Sequence, residues 1–347
     1  MGTTAAVPGL TLSDAQEERA RELHRRALVI DGSSVVMQEP AHFERARAGG
    51  VTATNHTVTH PPSDFETAVL DMTGCRHWIS QNSDKGLLAT TVADIQLAKE
   101  TGREAIIFGP QNTEFIGTDM ARLEAAYVLG VRVLQLTYQR QNWVGAGCGE
   151  ADDAGLSNFG RALVDEMAQL GIVADLSHCG ANTSAQAIER SPHPVIFSHA
   201  HAHAATAHIR AKDDDLLRAL AERGGVIGIT ALSAFLADPA APRRRPGLEA
   251  FRRHMEYLLD LIGEDHVGIG LDFDETNTPA KFAAARRAHP ELDTGFGWDD
   301  KRIWDLTHAG ETTNVTRVLV SVGLSDEAVL KILGGNFLRV FGQVWAG

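Results

Sequence analysis

Short apolar runs alternate with amphipathic stretches along nearly the whole chain, and this alternation constrains the fold more than any other feature. In one such unit Ser157 opens a helix, Gly171 ends it, and an apolar strand follows. Reading the chain in the same way predicts eight strands. They cover residues 27–31, 51–58, 105–108, 131–137, 172–178, 194–199, 226–230 and 266–272.

Helices are predicted in most of the gaps between these strands. Capping residues and apolar periodicity place them at about residues 14–26, 65–80, 92–101, 120–129, 157–170, 213–223 and 248–262. Strands that alternate with helices pair in parallel, and eight of them close a barrel. The sequence therefore predicts an α/β fold, a single (β/α)8 TIM barrel. Because no repeat or linker interrupts the pattern, we expect one domain over residues 1–347, with an N-terminal helix and a C-terminal helical segment.

Composition narrows the choice of partners and compartment. The chain has 347 residues and a net charge of −13, which disfavours nucleic acid or an anionic membrane as a partner. Cys75, Cys148 and Cys179 are too few and too scattered for a disulfide framework. The first twelve residues lack the pattern of a signal peptide, and no apolar run is long enough to span a membrane. We expect a cytoplasmic protein that acts on a small-molecule substrate.

Two histidines and an aspartate end three of the predicted strands. His178 and His199 end consecutive apolar runs, and Asp272 ends the last one. The carboxyl ends of barrel strands are where such folds place their chemistry, and imidazole is a good ligand for zinc or iron. These residues predict a site for one metal ion, with Asp272 as a ligand or as the base that activates water. Hydrogen bonding at strand ends, without a metal, is the alternative.

A further candidate ligand lies on the second predicted strand. Alternation of side chains places Thr54, His56 and Val58 on one face of this strand. If that face lines the barrel, His56 could complete the metal site. The alternative is a surface or hydrogen-bonding role for His56.

Several motifs make the chain resemble a known family, the renal (membrane) dipeptidases, which are peptidase family M19 of the amidohydrolase superfamily. The resemblance extends over nearly the whole chain and implies the same barrel, with a two-zinc centre that hydrolyses small dipeptides. The stretches that carry it are residues 129–137, 155–160, 175–178, 194–199, 268–274 and 334–341.

The ligands of the family's first metal are missing from this chain. The family has a His-x-Asp pair at the end of its first strand, and Ser33 and Val35 stand in those places here. The metal-bridging glutamate of the family falls at or beside Phe108. Because valine and phenylalanine cannot bind a metal, the ordinary two-zinc centre cannot form from these residues.

Other functional positions of the family can be matched residue by residue. The resemblance implies that His178 and His199 are second-metal ligands, that Asp272 is the aspartate of the eighth strand, and that Arg210 binds a substrate carboxylate. For Arg210 a salt bridge at a helix start is an equal alternative. Tyr138 stands where the family has a substrate-binding histidine.

Three functions are compatible with these residues. The first is a metal-dependent hydrolase of a small amide, dipeptide-like or lactone substrate, with one divalent ion, zinc ahead of iron. In it, Asp272 takes a proton from water, Tyr138 donates to the developing oxyanion and Arg210 holds a carboxylate. The second is a non-haem iron oxygenase that uses His178, His199 and Asp272 as its ligands. The third is an inactive homologue that has kept the barrel. The resemblance is also compatible with a homodimer.

Overall fold

Nine parallel strands form the centre of the molecule. The computed structural model describes residues 10–35, 38–274, 277–288, 290 and 295–345. Its strands are β1 Ile30–Ser34, β2 Ala53–His56, β3 Gly86–Leu88, β4 Glu104–Phe108, β5 Val133–Gln135, β6 Val173–Asp175, β7 Ile196–Ala200, β8 Val226–Ile229 and β9 Val267–Ile269. They belong to one sheet in the order β3-β4-β2-β1-β9-β8-β7-β6-β5.

Hydrogen bonds join β4 and the residue that follows it by two to β5 and the segment that leads into it, while β3 lies at the edge of β4. Phe108 and Val131 form a parallel bridge. The amide of Arg132 donates to the carbonyl of Phe108 over 3.1 Å, and that of Gln135 donates to the carbonyl of Pro110 over 3.0 Å. The sheet therefore curls into a barrel, and the predicted TIM-barrel fold is confirmed.

The prediction of eight strands was one too few. Strand β3 pairs with β4, with Gly86 opposite Glu104 and Leu88 opposite Ile106. It occupies the edge of β4 ahead of the bridge to Val131. A strand of three residues is too short to show a period of two, so the sequence pattern did not distinguish it from the loop between two helices.

Helices surround the sheet. Those in the described residues are α1 Asp14–Arg26, α2 Pro40–Ala48, α3 Phe65–Gln81, α4 Val92–Thr101, α5 Met120–Leu129, α6 Asn158–Leu170, α7 Ala181–Arg190, α8 Asp214–Glu222, α9 Ser233–Leu236, α10 Leu248–Ile262, α11 Pro279–Ala288, α12 Thr313–Val322, α13 Asp326–Leu330 and α14 Asn336–Val344. A capping box begins α1, in which the side chain of Ser13 accepts a hydrogen bond from the backbone of Gln16. In the part of the chain described, no helix combines the length and apolar character needed to cross a membrane. The extent of one domain over residues 1–347 stays a prediction.

Strands β6 and β9 end three residues earlier than the sequence pattern predicted, and this moves two of the candidate residues. Strand β6 ends at Asp175 and β9 at Ile269, so His178 and Asp272 lie in the loops that follow, whereas His199 lies within β7. The Asp175 carboxylate accepts a hydrogen bond from the amide of Ser177 over 3.0 Å, which turns the chain out of the sheet.

One phenylalanine closes the core beneath the strands. Phe337, on α14, is fully buried. A Cβ added at Gly32 or at Gly268 would lie 2.7 Å from its ring. Glycines on β1 and β9 therefore make room for this side chain, and α14 can pack against the sheet.

We expect Phe337→Ala to lower the free energy of unfolding by about 3–5 kcal/mol, because it leaves a cavity where two strands and a helix meet. Val128→Ala is the matched control, since Val128 is 78% exposed, and it should change stability by less than about 0.5 kcal/mol. Urea unfolding of both variants measures the difference. Equal losses in the two variants would contradict this account of the core.

Candidate active site

A cavity of about 600 Å³ opens beside the carboxyl ends of the strands. Four of the predicted functional residues line it, namely Tyr138, His178, Arg210 and Asp272. His199 is fully buried and lies against His178. The structure therefore brings these five side chains together around one space.

The two histidines face each other through the same ring atom. Nε2 of His178 lies 2.9 Å from Nε2 of His199. Burial, followed by the charges of Arg210, Lys212 and Arg302, holds the pKa of His199 well below its usual value. His199 is therefore neutral, and its Nε2 is available as a donor or an acceptor according to the tautomer.

The carboxylate of Asp175 orients His199 through the hydroxyl of Ser198. It accepts hydrogen bonds from the hydroxyl of Ser177 over 2.6 Å and from that of Ser198 over 2.5 Å. Nδ1 of His199 lies 2.7 Å from the same Ser198 hydroxyl. Because a hydroxyl has one proton and Ser198 gives it to Asp175, Nδ1 of His199 is the donor. The lone pair on Nε2 of His199 then points at His178.

A third ligand does not join the two imidazoles. Among the described residues no group of three His, Cys, Asp or Glu side chains is arranged to hold a metal ion. The carboxylate of Asp272 instead accepts a hydrogen bond from the hydroxyl of Ser33 over 3.4 Å. The predicted set of His178, His199 and Asp272 around one ion is thus not assembled, because Asp272 is held by its own neighbours.

Asp272 has the strained backbone and shifted pKa that are common at functional sites. Its φ of 55° lies in the left-handed region, which non-glycine residues seldom adopt. Burial raises the pKa of its carboxyl to about 6, against the charge of Arg302, which lowers it. A carboxyl with such a pKa is ionised at neutral pH and can accept a proton.

His56, the further candidate ligand, does not join the pair in the described structure. It is buried but does not line the cavity. Thr54, on the same face of β2, donates to Glu104, which also pairs with His42 of α2. This face is therefore turned to the helices. Burial and the charge of His42 lower the pKa of His56 to about 3.

A glutamine that the sequence analysis missed lies beside Ser33. Phe108, the position considered for the bridging glutamate, is fully buried in the core. Three residues later Gln111 lines the cavity, and its amide donates to the Ser33 hydroxyl over 3.2 Å. Ser33 in turn donates to Asp272. The sequence signal for Gln111 is its position as a polar residue directly after the strand and Pro110.

Tyr138 covers one of the histidines. Its ring stacks on that of His178, with centroids 4.3 Å apart and an interplanar angle of 21°. Burial raises the pKa of the phenol to about 12, so the hydroxyl keeps its proton and can donate a hydrogen bond.

Arg210 is fixed to the ends of the two histidine strands. Its Nε donates to the carbonyl of Ser177 over 3.3 Å, and its Nη2 donates to that of His199 over 3.1 Å. In the described structure these bonds, rather than a salt bridge at a helix start, hold the guanidinium. They also leave Nη1 for a ligand in the cavity.

A second group of charges, also missed from the sequence, supports Asp272. Arg302 donates to the carbonyl of Leu271 over 2.8 Å and to that of Asp272. Arg302 and Lys301 share the carboxylate of Asp274, at 2.8 and 2.7 Å. Arg302 therefore holds the backbone of Asp272 and places a positive charge beside it.

Ser198→Ala tests the orientation of His199. The variant removes the acceptor of Nδ1–H, and we expect the proton to move toward Nε2 and metal affinity to fall by about tenfold. Magnetic resonance of isotope-labelled imidazole nitrogens reports the tautomer. Ser184→Ala is the control, because Ser184 is buried and its hydroxyl has no hydrogen bond in the described structure. An unchanged tautomer in Ser198→Ala would refute the assignment.

The raised pKa of the buried Asp31 carboxyl should make the stability of the protein depend on pH. This carboxyl accepts hydrogen bonds from the amides of Leu271, over 2.8 Å, and Ser33, over 3.2 Å, yet burial raises its pKa to about 8. The folded protein keeps a proton that the unfolded chain releases above its ordinary pKa of 3.8. The free energy of unfolding should therefore fall as pH rises between these two values.

Asp31→Asn should remove that contribution, since an amide oxygen accepts the same hydrogen bonds without ionising. We expect the variant to gain stability over the wild type as pH increases from 5 to 8, measured by urea unfolding. Asp215→Asn, at a fully exposed carboxylate, should follow the wild-type dependence. Parallel curves for Asp31→Asn and the wild type would contradict a raised pKa.

Comparison with known proteins places the chain in a family. Residues 17–305 match the profile of the family described as membrane dipeptidase (peptidase family M19). The dipeptidase verJ of Clonostachys rogersoniana is 31% identical over 268 residues, 77% of this chain and 62% of that protein. An uncharacterized dipeptidase of Schizosaccharomyces pombe is 33% identical over 247 residues, 70% of this chain and 54% of that protein. The chain thus spans less than two thirds of the length of these curated relatives.

Solved structures agree with the fold. An amidohydrolase from Pseudomonas aeruginosa is 34% identical and superposes with a TM-score of 0.87 over 94% of this chain and 99% of that one. A metallo peptidase from Rhodobacter sphaeroides, liganded with a phosphinate mimic of the dipeptide L-Ala-D-Ala, is 22% identical. Its TM-score is 0.77, over 92% of this chain and 99% of that one, and at this identity the likeness concerns the fold alone.

Proposed function

The chain belongs to the membrane dipeptidase family, peptidase family M19, and from this premise we propose that it is a metal-dependent hydrolase of a small substrate. The substrate is an amide, dipeptide-like or lactone compound that enters the cavity beside the strand ends. The observation that carries the proposal is the pair of ring nitrogens of His178 and His199, which lie 2.9 Å apart, with His199 oriented by Asp175 through Ser198.

The side chains present fit one ion better than two. Nε2 of His178 and Nε2 of His199 are adjacent nitrogen atoms that could both bind one metal ion. The bonds from His199 to Ser198 and from Ser198 to Asp175 resemble the outer contacts that orient metal-binding histidines. The family's two-zinc centre does not fit, because Ser33 and Val35 occupy the places of its first ligands. A single divalent ion, zinc ahead of iron, is the cofactor of this proposal, with His178 and His199 as its protein ligands.

The remaining residues bind the substrate and move its protons. Nη1 of Arg210 binds a substrate carboxylate. The Tyr138 hydroxyl donates to the oxyanion that develops on the carbonyl. Asp272 takes the proton of the attacking water and passes it to the leaving group. A divalent ion, when bound, would polarise the carbonyl and lower the pKa of water.

The proposal is tested by metal content together with turnover. We expect about one zinc per chain in the purified protein and release of amino acids from L-Ala-L-Ala or L-Ala-D-Ala. His178→Ala should lose the metal and lower kcat/KM by at least about a hundredfold. His203→Ala is the matched control, because this histidine is exposed and close in sequence to His199.

Two results would overturn the hydrolase. Iron with oxygen-dependent turnover supports an oxygenase instead. That reaction ordinarily needs a carboxylate as third ligand. Metal-free protein that turns over none of the dipeptides supports an inactive homologue.

A further inference from the structure

The cavity is basic although the molecule is acidic. The chain has a net charge of −13. The described residues that line the cavity nevertheless include two aspartates and five basic side chains. The basic residues are Arg210, Lys281, Arg286, Lys301 and Arg302. A concave site with an excess of one charge focuses the field and attracts ligands of the opposite sign.

These charges lie at two separate places in the cavity. Arg210 is bound to the carbonyls of Ser177 and His199, at the ends of β6 and β7. Arg302 is bound to the segment that follows β9, through the carbonyl of Leu271. A ligand that fills the cavity can therefore meet one basic group at each place.

Among the described cavity residues beyond β9, three cations outnumber the two carboxylates of Asp272 and Asp274. Lys301 and Arg302 share the single carboxylate of Asp274, at 2.7 and 2.8 Å. Lys281, on α11, lies on the cavity wall, and no ion pair between described residues includes it. Among the described residues, at least one of these cations has no carboxylate partner.

Aromatic rings hold the lysine ammonium in place. Nζ of Lys301 lies 3.6 Å from the ring centroid of Trp298 and 5.6 Å from that of Phe282. Phe282 belongs to α11, as does Lys281. The rings thus connect the two lysines in one wall, which we call the lysine wall: Lys281, Phe282, Trp298 and Lys301.

We propose that this site selects substrates that carry two acidic groups, with one carboxylate on Arg210 and a second on the lysine wall. The substrate class is a dipeptide-like compound with an aspartate or glutamate side chain. This inference rests on the proposed function for the hydrolysis, whereas the preference in binding does not depend on turnover.

The test compares L-Ala-L-Glu with L-Ala-L-Gln, which have nearly the same shape and differ in one charge. Calorimetry with the protein as purified measures binding, and amino-acid release measures kcat/KM. We expect L-Ala-L-Glu to bind about tenfold more tightly, with a preference that weakens as salt increases.

Lys281→Met removes one of the two charges of the lysine wall and keeps the aliphatic stem. We expect this variant to weaken the binding of L-Ala-L-Glu by about fivefold to tenfold and to leave the binding of L-Ala-L-Gln unchanged. Arg287→Met is the matched control, because Arg287 is an exposed cation of the same helix that does not line the cavity. It should leave both affinities as they are.

The outcomes separate this inference from the proposed function. Equal affinity for the two dipeptides, or an equal loss of affinity for both in Lys281→Met, overturns the preference for an acidic substrate. Hydrolysis of either dipeptide would still uphold the hydrolase. Selective binding of L-Ala-L-Glu with no hydrolysis of any dipeptide supports the acidic ligand and overturns the hydrolase.

Discussion

The carboxylate of Asp175 ties together the two strands on which the site is built. It accepts hydrogen bonds from the backbone amides of Ser177 and Ser198 as well as from both hydroxyls. The ends of β6 and β7 are therefore joined at one buried anion, and the position of His199 follows from it. Replacing one serine or histidine would remove only the bonds of that side chain. Removing the Asp175 carboxylate would leave several buried hydrogen-bond donors unpaired.

The neutral Ser33 stands where the family resemblance implied a ligand of a first metal, and the neutral Gln111 lies beside it. The amide of Gln111 donates to Ser33, and the hydroxyl of Ser33 donates to Asp272. Hydrogen bonds of this kind steady a carboxylate without taking up its charge as a metal would. Under the proposed function, Asp272 acts as the base and the histidine pair binds the ion, so the two roles are divided between two sides of the cavity.

Local signals predicted the order of elements, since caps such as Ser157 and Gly171 mark helix ends through nearby bonds. The approach of His178 to His199 could also be predicted, because consecutive strands of a barrel are neighbours. The direction in which His56 faces could not be predicted. Alternation places Thr54 and His56 on the same face of β2 but does not show whether that face lines the barrel or faces the helices. Arg302 was missed for a different reason, as its place depends on carbonyls thirty residues away in the chain.

The charges that would attract an acidic substrate also act on the base. Burial raises the pKa of Asp272, whereas Arg302 and Arg210 lower it, and the balance is about 6. A substrate carboxylate that pairs with Arg210 would screen that guanidinium and exclude water from the cavity. Both effects raise the pKa of Asp272 further. The base would then become a stronger proton acceptor when the substrate is bound, which couples recognition of the acid group to the chemical step.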